Sequence, residues 1–366
     1  MQRVLQISSC NSLRGVEKQE LEIFNNISKK IVFDFLTPNK EPFKNHQEEI
    51  IKNGGKLYDF NIKRKTKVSK IIYAYKLYKF LKKHNYQIIH INSSAFFFSF
   101  HVAIIARMCK VKKIIAHSHS VRDINIFKRF IIYLLKPIFF RITTEHLSCS
   151  NKAKISLYKN KYPVKIINNG IDINKYKFKM DVRNEYRTKL NLKNKIVYGH
   201  IGNFDYRKNQ SFLIDIFYEI QKKQENSLLI LIGDGILKRK IEAKVKDLKI
   251  EDKVIFMGFI NNVDEIINSI DVLIFPSIKE GLGIVTIESQ TNGLMTYCSN
   301  NISNEANISP YFKSFNLSDL PSNIADSIIN EKKDYKKREN AYKYTKKNKY
   351  DIKDSCRELE KIYLGD

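Results

Sequence analysis

The stretch FPSIKEGLGIVTIESQTNG, residues 275–293, carries two glutamates eight positions apart, Glu280 and Glu288, around the turn Gly281, Leu282 and Gly283. A strand-like run ends at Pro276, and a helix is expected from about Ile284. The first amides of a helix have no partner within it and point out of its end, where the dipole favours anions. Glycine lets the backbone come close to a ligand. The turn can therefore offer N–H groups to a phosphate. Ionised carboxylates only accept hydrogen bonds and repel phosphate, so the two glutamates need a donor as partner. Sugars present pairs of hydroxyl donors. Glu280 could hold hydroxyls of a hexose, and Glu288, leaning back toward the helix start, the two hydroxyls of a ribose. Sugar, diphosphate and ribose in that order make up a nucleotide sugar. A loose pair at this spacing is more often a loop charge and an exposed helix residue. The apolar strand, the proline and the glycine turn favour a site.

The elements around this turn point to a layered α/β protein. In the first half, strands are expected at 3–8, 31–36, 87–92, 112–117, 146–149 and 164–167, with helices at 15–29, 66–84, 95–109 and 126–140. Such alternation implies a parallel sheet with helices on both faces. The turn NNGID, 168–172, closes that half. The second half repeats the plan, with strands at 196–201, 228–232, 254–257 and 272–275. In the helix at 209–223, Phe212, Leu213, Ile216, Phe217 and Ile220 share one face. The architecture expected is two Rossmann-like domains, 1–172 and 173–349. The final helix, with Ile352, Cys356, Leu359 and Tyr363 on one stripe, belongs to a segment 350–366 expected to pack back on the first domain. The run 330–349 reads as a charge-rich, solvated helix.

Composition narrows the class. The chain has 366 residues, 43% hydrophobic, enough for two cores. Its five cysteines are scattered without a CxxC pair, which argues against a disulfide framework or zinc cluster and for a reducing, cytoplasmic compartment. The start, MQRVLQISSC, lacks the plan of a signal peptide, and no apolar run reaches the length of a membrane span. A net charge of +27 reflects either a lysine-rich composition throughout or an anionic partner. In 61–85 and 124–141, Lys and Arg interleave with Ile, Leu, Tyr and Phe at helical spacing. That suits a helix lying on acidic lipid headgroups as well as a core helix with a solvated basic face. No recognised nucleic-acid motif or aromatic–basic platform accompanies the charge, so no nucleic acid is expected as a partner.

The motif PSIKEGLGIVTIE resembles the signature of the retaining glycosyltransferases of family 4, of the GT-B fold. The resemblance extends over nearly the whole chain, through RVLQISSCNSLRGVE, YQIIHINSS, KKIIAHSHS, VKIINNGID, VYGHIGNFDYRKN, LLILIGDG and DKVIFMGF in family order. The subgroup with AHSHS and GHIG resembles enzymes that build bacterial capsule, exopolysaccharide or lipopolysaccharide. The fold implied is two Rossmann-like parallel-sheet domains facing across a cleft.

The resemblance assigns roles one residue at a time. Lys208 matches the lysine that faces the donor diphosphate, where a point charge offsets charge on the leaving group. The family usually has an arginine where this chain has Asn203, and the neighbouring Arg207 is a candidate to compensate. His119 matches the histidine that lies against the transferred sugar, and His117 shares its face if the strand continues. His117 is equally readable as a satisfied structural histidine. The loop that approaches donor and acceptor keeps Gly15 but has Arg14 in place of a second glycine. The reaction implied is transfer of a hexosyl unit from a nucleotide-diphosphate sugar, UDP-linked as first choice, to a saccharide, lipid-linked and on the inner membrane face. No catalytic metal or other cofactor is implied. The rivals are a sugar-nucleotide epimerase or phosphorylase of the same fold, a non-catalytic paralogue, and a basic nucleic-acid binder.

Overall fold

Runs such as RVLQIS, QIIHIN and KIIAHS are apolar on both faces, as strands covered by helices on either side require. The computed structural model of this chain describes residues 1–9, 15–38, 41–62, 66–119, 125–158, 162–330 and 335–365. The chain divides into two units, Met1–Gly170 with Ile352–Asp366, and Ile171–Asp351.

Unit 1 is built on seven strands: β1 (Gln2–Ser8), β2 (Ile31–Thr37), β3 (Leu57–Asp59), β4 (Ile88–Asn92), β5 (Lys113–Ser118), β6 (Glu145–Ser148) and β7 (Lys165–Ile166). They lie in the order β3-β2-β1-β4-β5-β6-β7, all pairings parallel. Its helices are α1 (Gly15–Asn26), α2 (Gln47–Lys52), α3 (Lys67–His84), α4 (Phe96–Met108), α5 (Ile126–Ile142) and α6 (Asn151–Tyr158). Unit 2 has β8 (Ile196–Ile201), β9 (Ser227–Ile232), β10 (Val254–Gly258), β11 (Val272–Phe275), β12 (Met295–Ser299) and β13 (Phe312–Phe315), in the order β10-β9-β8-β11-β12-β13, again parallel. Its helices are α7 (Ile173–Tyr176), α8 (Met180–Lys189), α9 (Gln210–Lys223), α10 (Lys238–Asp247), α11 (Val263–Ile266), α12 (Ile284–Thr291), α13 (Pro321–Ile329), α14 (Tyr335–Arg338) and α15 (Tyr342–Lys347). The last helix, α16 (Ile352–Leu364), returns to unit 1.

Each sheet is covered on both faces. In unit 1, Leu5, Ile7, Ile89 and Ile91 pack with α3, α4 and α5, while Val4, Ile88 and Ile115 pack with α1, α2 and α16. Helix α16 docks through Ile352, Cys356, Leu359, Ile362 and Tyr363. Burial of its large apolar side chains stabilises the docked helix by roughly 1.5–3 kcal/mol each. In both sheets the strand order reverses beside the first strand of the unit, between β1 and β4 and between β8 and β11. In open parallel sheets that reversal, at the carboxyl ends of the strands, leaves the crevice where ligands bind.

The run 330–349 departs from the solvated helix expected. Among its described residues, Arg338 is buried and bonds the carbonyls of Asn292 and Ile270, at 3.1 and 3.0 Å. Thr345 is buried and meets Thr291 at 2.7 Å. Lys343, Lys346 and Lys347 are exposed, but α14 and α15 brace α12.

Candidate functional site

The reversal point of unit 2 brings together two loops distant in sequence, one after β8 and one after β11. They are tied by the Ile278 amide donating to the Arg207 carbonyl at 2.7 Å. The second loop is held further by Ser299 Oγ on the Ser277 carbonyl and Asn301 Nδ2 on the Ile278 carbonyl, at 2.5 and 2.8 Å. Across this junction Lys208 Nζ donates to Glu280 Oε2 at 2.5 Å, with the side chains 13% and 19% exposed. Lys208 also lies 4.4 Å above the centroid of the Phe275 ring. The family resemblance gives the lysine to a diphosphate, and the reading of the turn gives the glutamate to a sugar. The structure joins them in one ion pair, each partly accessible and each the other's counter-charge.

Gly283 explains the turn. Its φ of +71° caps α12 in the left-handed region, which costs an L-residue about 1–2 kcal/mol. The Thr286 amide and hydroxyl both donate to the Gly283 carbonyl at 2.7 Å, so one first-turn amide is already satisfied. Around Gly281 a side chain would meet open space. Glu288, one turn into α12, is buried rather than an exposed helix residue. The polar run Thr286–Thr291 is buried throughout, its side chains bonded locally and to neighbouring elements.

Two further groups near the ion pair, His200 within GHIG and Gln210 at the start of α9, are given no role by the sequence. His200 is buried, bonded through Nδ1 to the Ile274 carbonyl at 2.9 Å and through Nε2 to Gln210 at 3.3 Å. Burial pushes its pKa down to about 4, Lys208 adding to the effect against the carbonyl bond. Gln210 Oε1 and Ser277 Oγ are buried without a hydrogen-bond partner. Asn203 is exposed, and its carbonyl takes bonds from Gln210 and the Asp205 amide. Arg207 pairs with Asp205 at 2.7 Å, which raises its pKa, and the field of Glu280 adds to that rise. The candidate substitute for the family arginine is thus committed to a local turn. Gly233 and Gly235 let the loop after β9 press on this segment: a Cβ on either would fall within 2.5 Å of a backbone oxygen of Gly202 or Phe204.

In unit 1 the strand register aligns Gln6 with His90 and Ser8 with Asn92 and His117, so these five share one face. Lower on that face Val4, Ile88 and Ile115 are apolar core; at the carboxyl ends it turns polar. His119 follows directly, its Nε2 meeting Asn92 Oδ1 at 3.0 Å and its amide meeting Ser94 Oγ at 3.0 Å. His117 and His119 are 3% and 8% exposed, their ring centroids 3.9 Å apart. Burial pushes His119 down to about 4, with the nearby Asn169 side chain pulling the other way. The reading of His117 as a satisfied histidine holds for one nitrogen only: Nδ1 meets His90 Nε2 at 3.1 Å, while Nε2 has no partner. Gly15 opens α1 with nothing near a would-be Cβ. Arg14 lies outside the described residues. Ser8 Oγ donates to the buried Glu20 at 2.6 Å. Burial, with the neighbouring Glu17, holds the Glu20 carboxyl well above its usual range. Among the described residues no group of three or more His, Cys, Asp or Glu side chains is arranged to hold a metal ion.

The two basic amphipathic segments form α3 and α5, which flank α4. Neither is a core helix with a purely basic outer face. On α5, Ile126 and Phe127 are 85% and 70% exposed, and Phe130, Tyr133, Leu134 and Ile138 are also exposed. On α3, Val68, Ile71, Ile72 and Tyr75 are exposed among lysines. No described helix is long and apolar enough to cross a membrane.

Comparison with known proteins agrees with this geometry. The family model described as Glycosyltransferase Family 4 matches residues 15–175, and the one described as Glycosyl transferases group 1 matches residues 182–348. A UDP-Gal:alpha-D-GlcNAc-diphosphoundecaprenol alpha-1,3-galactosyltransferase of Escherichia coli is 27% identical over 265 residues, 69% of this chain and 67% of that protein. The capsular polysaccharide biosynthesis glycosyltransferase CapH of Staphylococcus aureus is 26% identical over 311 residues, 81% of this chain and 82% of its own. The crystal structure of HepE from Anabaena in complex with UDP shares the fold, with a TM-score of 0.80 at 16% identity over the whole of both chains.

Proposed function

From the premise that the chain belongs to the family 4 glycosyltransferases and serves bacterial surface-polysaccharide biosynthesis, we propose that it transfers a hexosyl unit, with anomeric retention, from a UDP-linked sugar to a lipid-linked saccharide. The observation that carries this reading is the Lys208–Glu280 pair at the strand reversal of unit 2. A lysine and a carboxylate in contact are ready to part: the ammonium to a diphosphate, the carboxylate to sugar hydroxyls. Charge developing on the departing diphosphate would be met by Lys208 and by the amides at Gly281–Gly283. Glu288 would take the ribose hydroxyls, and His119 would orient the sugar. HepE has been solved with UDP and with UDP-glucose, and the Escherichia coli relative is named for a UDP-galactose donor and a diphosphoundecaprenol acceptor.

The acceptor reading rests also on α3 and α5. Their exposed Ile, Phe and Tyr side chains with interleaved Lys and Arg suit the inner, anionic face of a membrane. The protein should sediment with anionic liposomes at low salt and be released at high salt; equal binding to neutral liposomes removes the electrostatic part.

The test of the reaction is a thermal-shift screen against UDP-, GDP-, ADP- and CDP-sugars, followed by product analysis with the stabilising donor. A UDP-sugar should raise the melting temperature and yield a product of retained configuration. Stabilisation by none of them overturns the donor reading, inversion overturns retention, and conversion of the donor without an acceptor points to an epimerase.

A further inference from the structure

Two histidine branches in unit 1 are coupled by a pair of amides. On one branch Gln6 Nε2 meets the Tyr363 hydroxyl at 3.3 Å, that hydroxyl meets His90 Nδ1 at 2.6 Å, and His90 Nε2 meets His117 Nδ1 at 3.1 Å. On the other, Asn92 Nδ2 donates to Gln6 Oε1 at 2.8 Å, and Asn92 Oδ1 faces His119 Nε2 at 3.0 Å. Each branch ends on a buried ring nitrogen without a hydrogen-bond partner, His117 Nε2 and His119 Nδ1.

The hydrogens along this ladder are not independent. Gln6 donates to the Tyr363 oxygen, so the hydroxyl donates onward to His90 Nδ1. A neutral imidazole that accepts at one nitrogen donates at the other. His90 therefore donates to His117 Nδ1, and His117 Nε2 is left as an N–H. On the second branch the Asn92 oxygen accepts from His119 Nε2–H, which leaves His119 Nδ1 as an acceptor without a partner at hydrogen-bond geometry, the Asn169 side chain lying close enough to the ring to raise its pKa. Turning both amides over reverses both branches together. Either way the ladder ends in one donor and one acceptor on adjacent rings. Burial keeps the rings neutral: it pushes His90 down to about 3 and His119 to about 4, and holds His117 well below the usual range. A neutral donor beside a neutral acceptor matches an oxygen that both accepts and donates. A hydroxyl does so; an ionised phosphate or carboxylate only accepts.

We propose that His117 and His119 together hold one hydroxyl of the transferred sugar, and that Tyr363 is a positioning residue that fixes the tautomer of His117 through His90. The proposal rests on the reading that His119 lies against the donor sugar. To that reading it adds His117 Nε2 as the second contact and a hydroxyl on the last helix as its organiser.

Tyr363→Phe removes the hydroxyl and keeps the ring, whose edge packs on Phe33 at 5.7 Å and 84°. Long-range proton–nitrogen spectra of the full chain labelled with 15N-histidine read the tautomers directly. His117 should show a single neutral tautomer in the wild type and a mixture in folded Tyr363→Phe; an unchanged His117 pattern overturns the ladder. Calorimetry with UDP, UDP-glucose, UDP-galactose and UDP-N-acetylglucosamine reads the subsite. The preferred sugar donor should bind the wild type more tightly than UDP. That advantage should fall about 10-fold in Tyr363→Phe and in His117→Phe, with UDP affinity unchanged, and return in part in His117→Gln. An advantage retained in both variants, or a wild type that binds UDP but gains nothing from any of the three sugars, overturns the subsite. A wild type that binds none of the four overturns the donor reading beneath it, while the spectra still decide the ladder.

Discussion

At the carboxyl edge of the unit 2 sheet a charged, partly accessible pair, Lys208 and Glu280 at 2.5 Å, accompanies the buried His200, Gln210 and Ser277. At the same edge of the unit 1 sheet the polar groups are neutral and buried: His90, His117, His119, Gln6, Asn92 and Tyr363. The two sheets share a topology and a reversal point, so the difference lies in the side chains and not in the fold. A charge kept near water can exchange its partner for an arriving anion at modest cost, whereas an unpaired buried charge is expensive. Neutral groups can be buried and held in one geometry provided their hydrogen bonds are met. On the reading proposed above, the unit 2 edge would exchange its ion pair for a diphosphate and sugar hydroxyls, and the unit 1 edge would hold a further hydroxyl through neutral groups.

Removing the charges should have the largest effect. Lys208→Ala should lower kcat by about 10²–10³-fold, as loss of a group meeting transition-state charge typically does. Glu280→Ala should abolish detectable transfer, with Glu280→Gln nearly as deficient. Because the pair is partly exposed, the melting temperature should move by only a few degrees. Initial rates beside thermal melts check this. Near-normal turnover in Glu280→Ala would remove the catalytic meaning of the charged edge.

How far these two edges can be read from sequence differs for a physical reason. The unit 2 turn announces itself locally: VLIF is a strand because it is apolar on both faces, and Gly283 sits where only a left-handed residue closes the cap. Helix 209–223 was legible from its 3.6 period and begins at Gln210. The strands β12 and β13 were not, because MTYCS and FKSF are short and mixed in polarity, and only neighbouring elements decide their burial. The buried Arg338 was hidden among lysines that share its composition but not its environment. The unit 1 ladder was half legible. A period of two puts the histidines of HIN and HSH on one face, but Tyr363 lies 273 residues beyond His90 and reaches it only through the docking of α16. His200 lacked any such clue, since its role comes from Gln210 and the Ile274 carbonyl.

Acid should separate the two units next. Burial pushes His90 down to about 3 and His119, His146 and His200 to about 4, and lowers His117 further still. All but His200 belong to unit 1. An unfolded histidine titrates near 6.5, so below that pH the unfolded chain binds more protons than the native one. Stability from these groups is fully present above pH ~6.5 and is lost as the pH falls toward 4. Glu20 works in the opposite direction: its raised pKa makes the native unit bind a proton that the unfolded chain releases, and so returns part of the loss. Between pH 6.5 and 4.5 the unit 1 amides should therefore lose protection more steeply than those of unit 2, by about three protons against one. Hydrogen exchange corrected for intrinsic rates, followed by mass spectrometry of peptides from each unit, measures it. Equal slopes in the two units would mean that the neutral network is not neutral by burial.

The smallest expected effect concerns Asn203, the position where the family usually carries arginine. Its side chain is exposed, and the loop is held by backbone: the Phe204 amide on the Asp234 carbonyl at 2.9 Å and the Asn203 carbonyl under Gln210. Asn203→Arg should therefore leave stability within about 0.5 kcal/mol, as surface substitutions do. Arg207 cannot already fill the role without leaving Asp205, so the new guanidinium would be an addition and not a duplicate. A charge-assisted bond to a diphosphate at a partly solvated edge should tighten UDP about 3- to 10-fold. The gain should appear in the affinity for UDP itself and not in the advantage of a UDP-sugar over UDP, because nothing at the unit 1 edge has changed. Titrating UDP against both proteins decides it. Unchanged affinity would place the diphosphate elsewhere on the unit 2 edge, and a gain confined to the sugar would dissolve the division of labour between the two sheets.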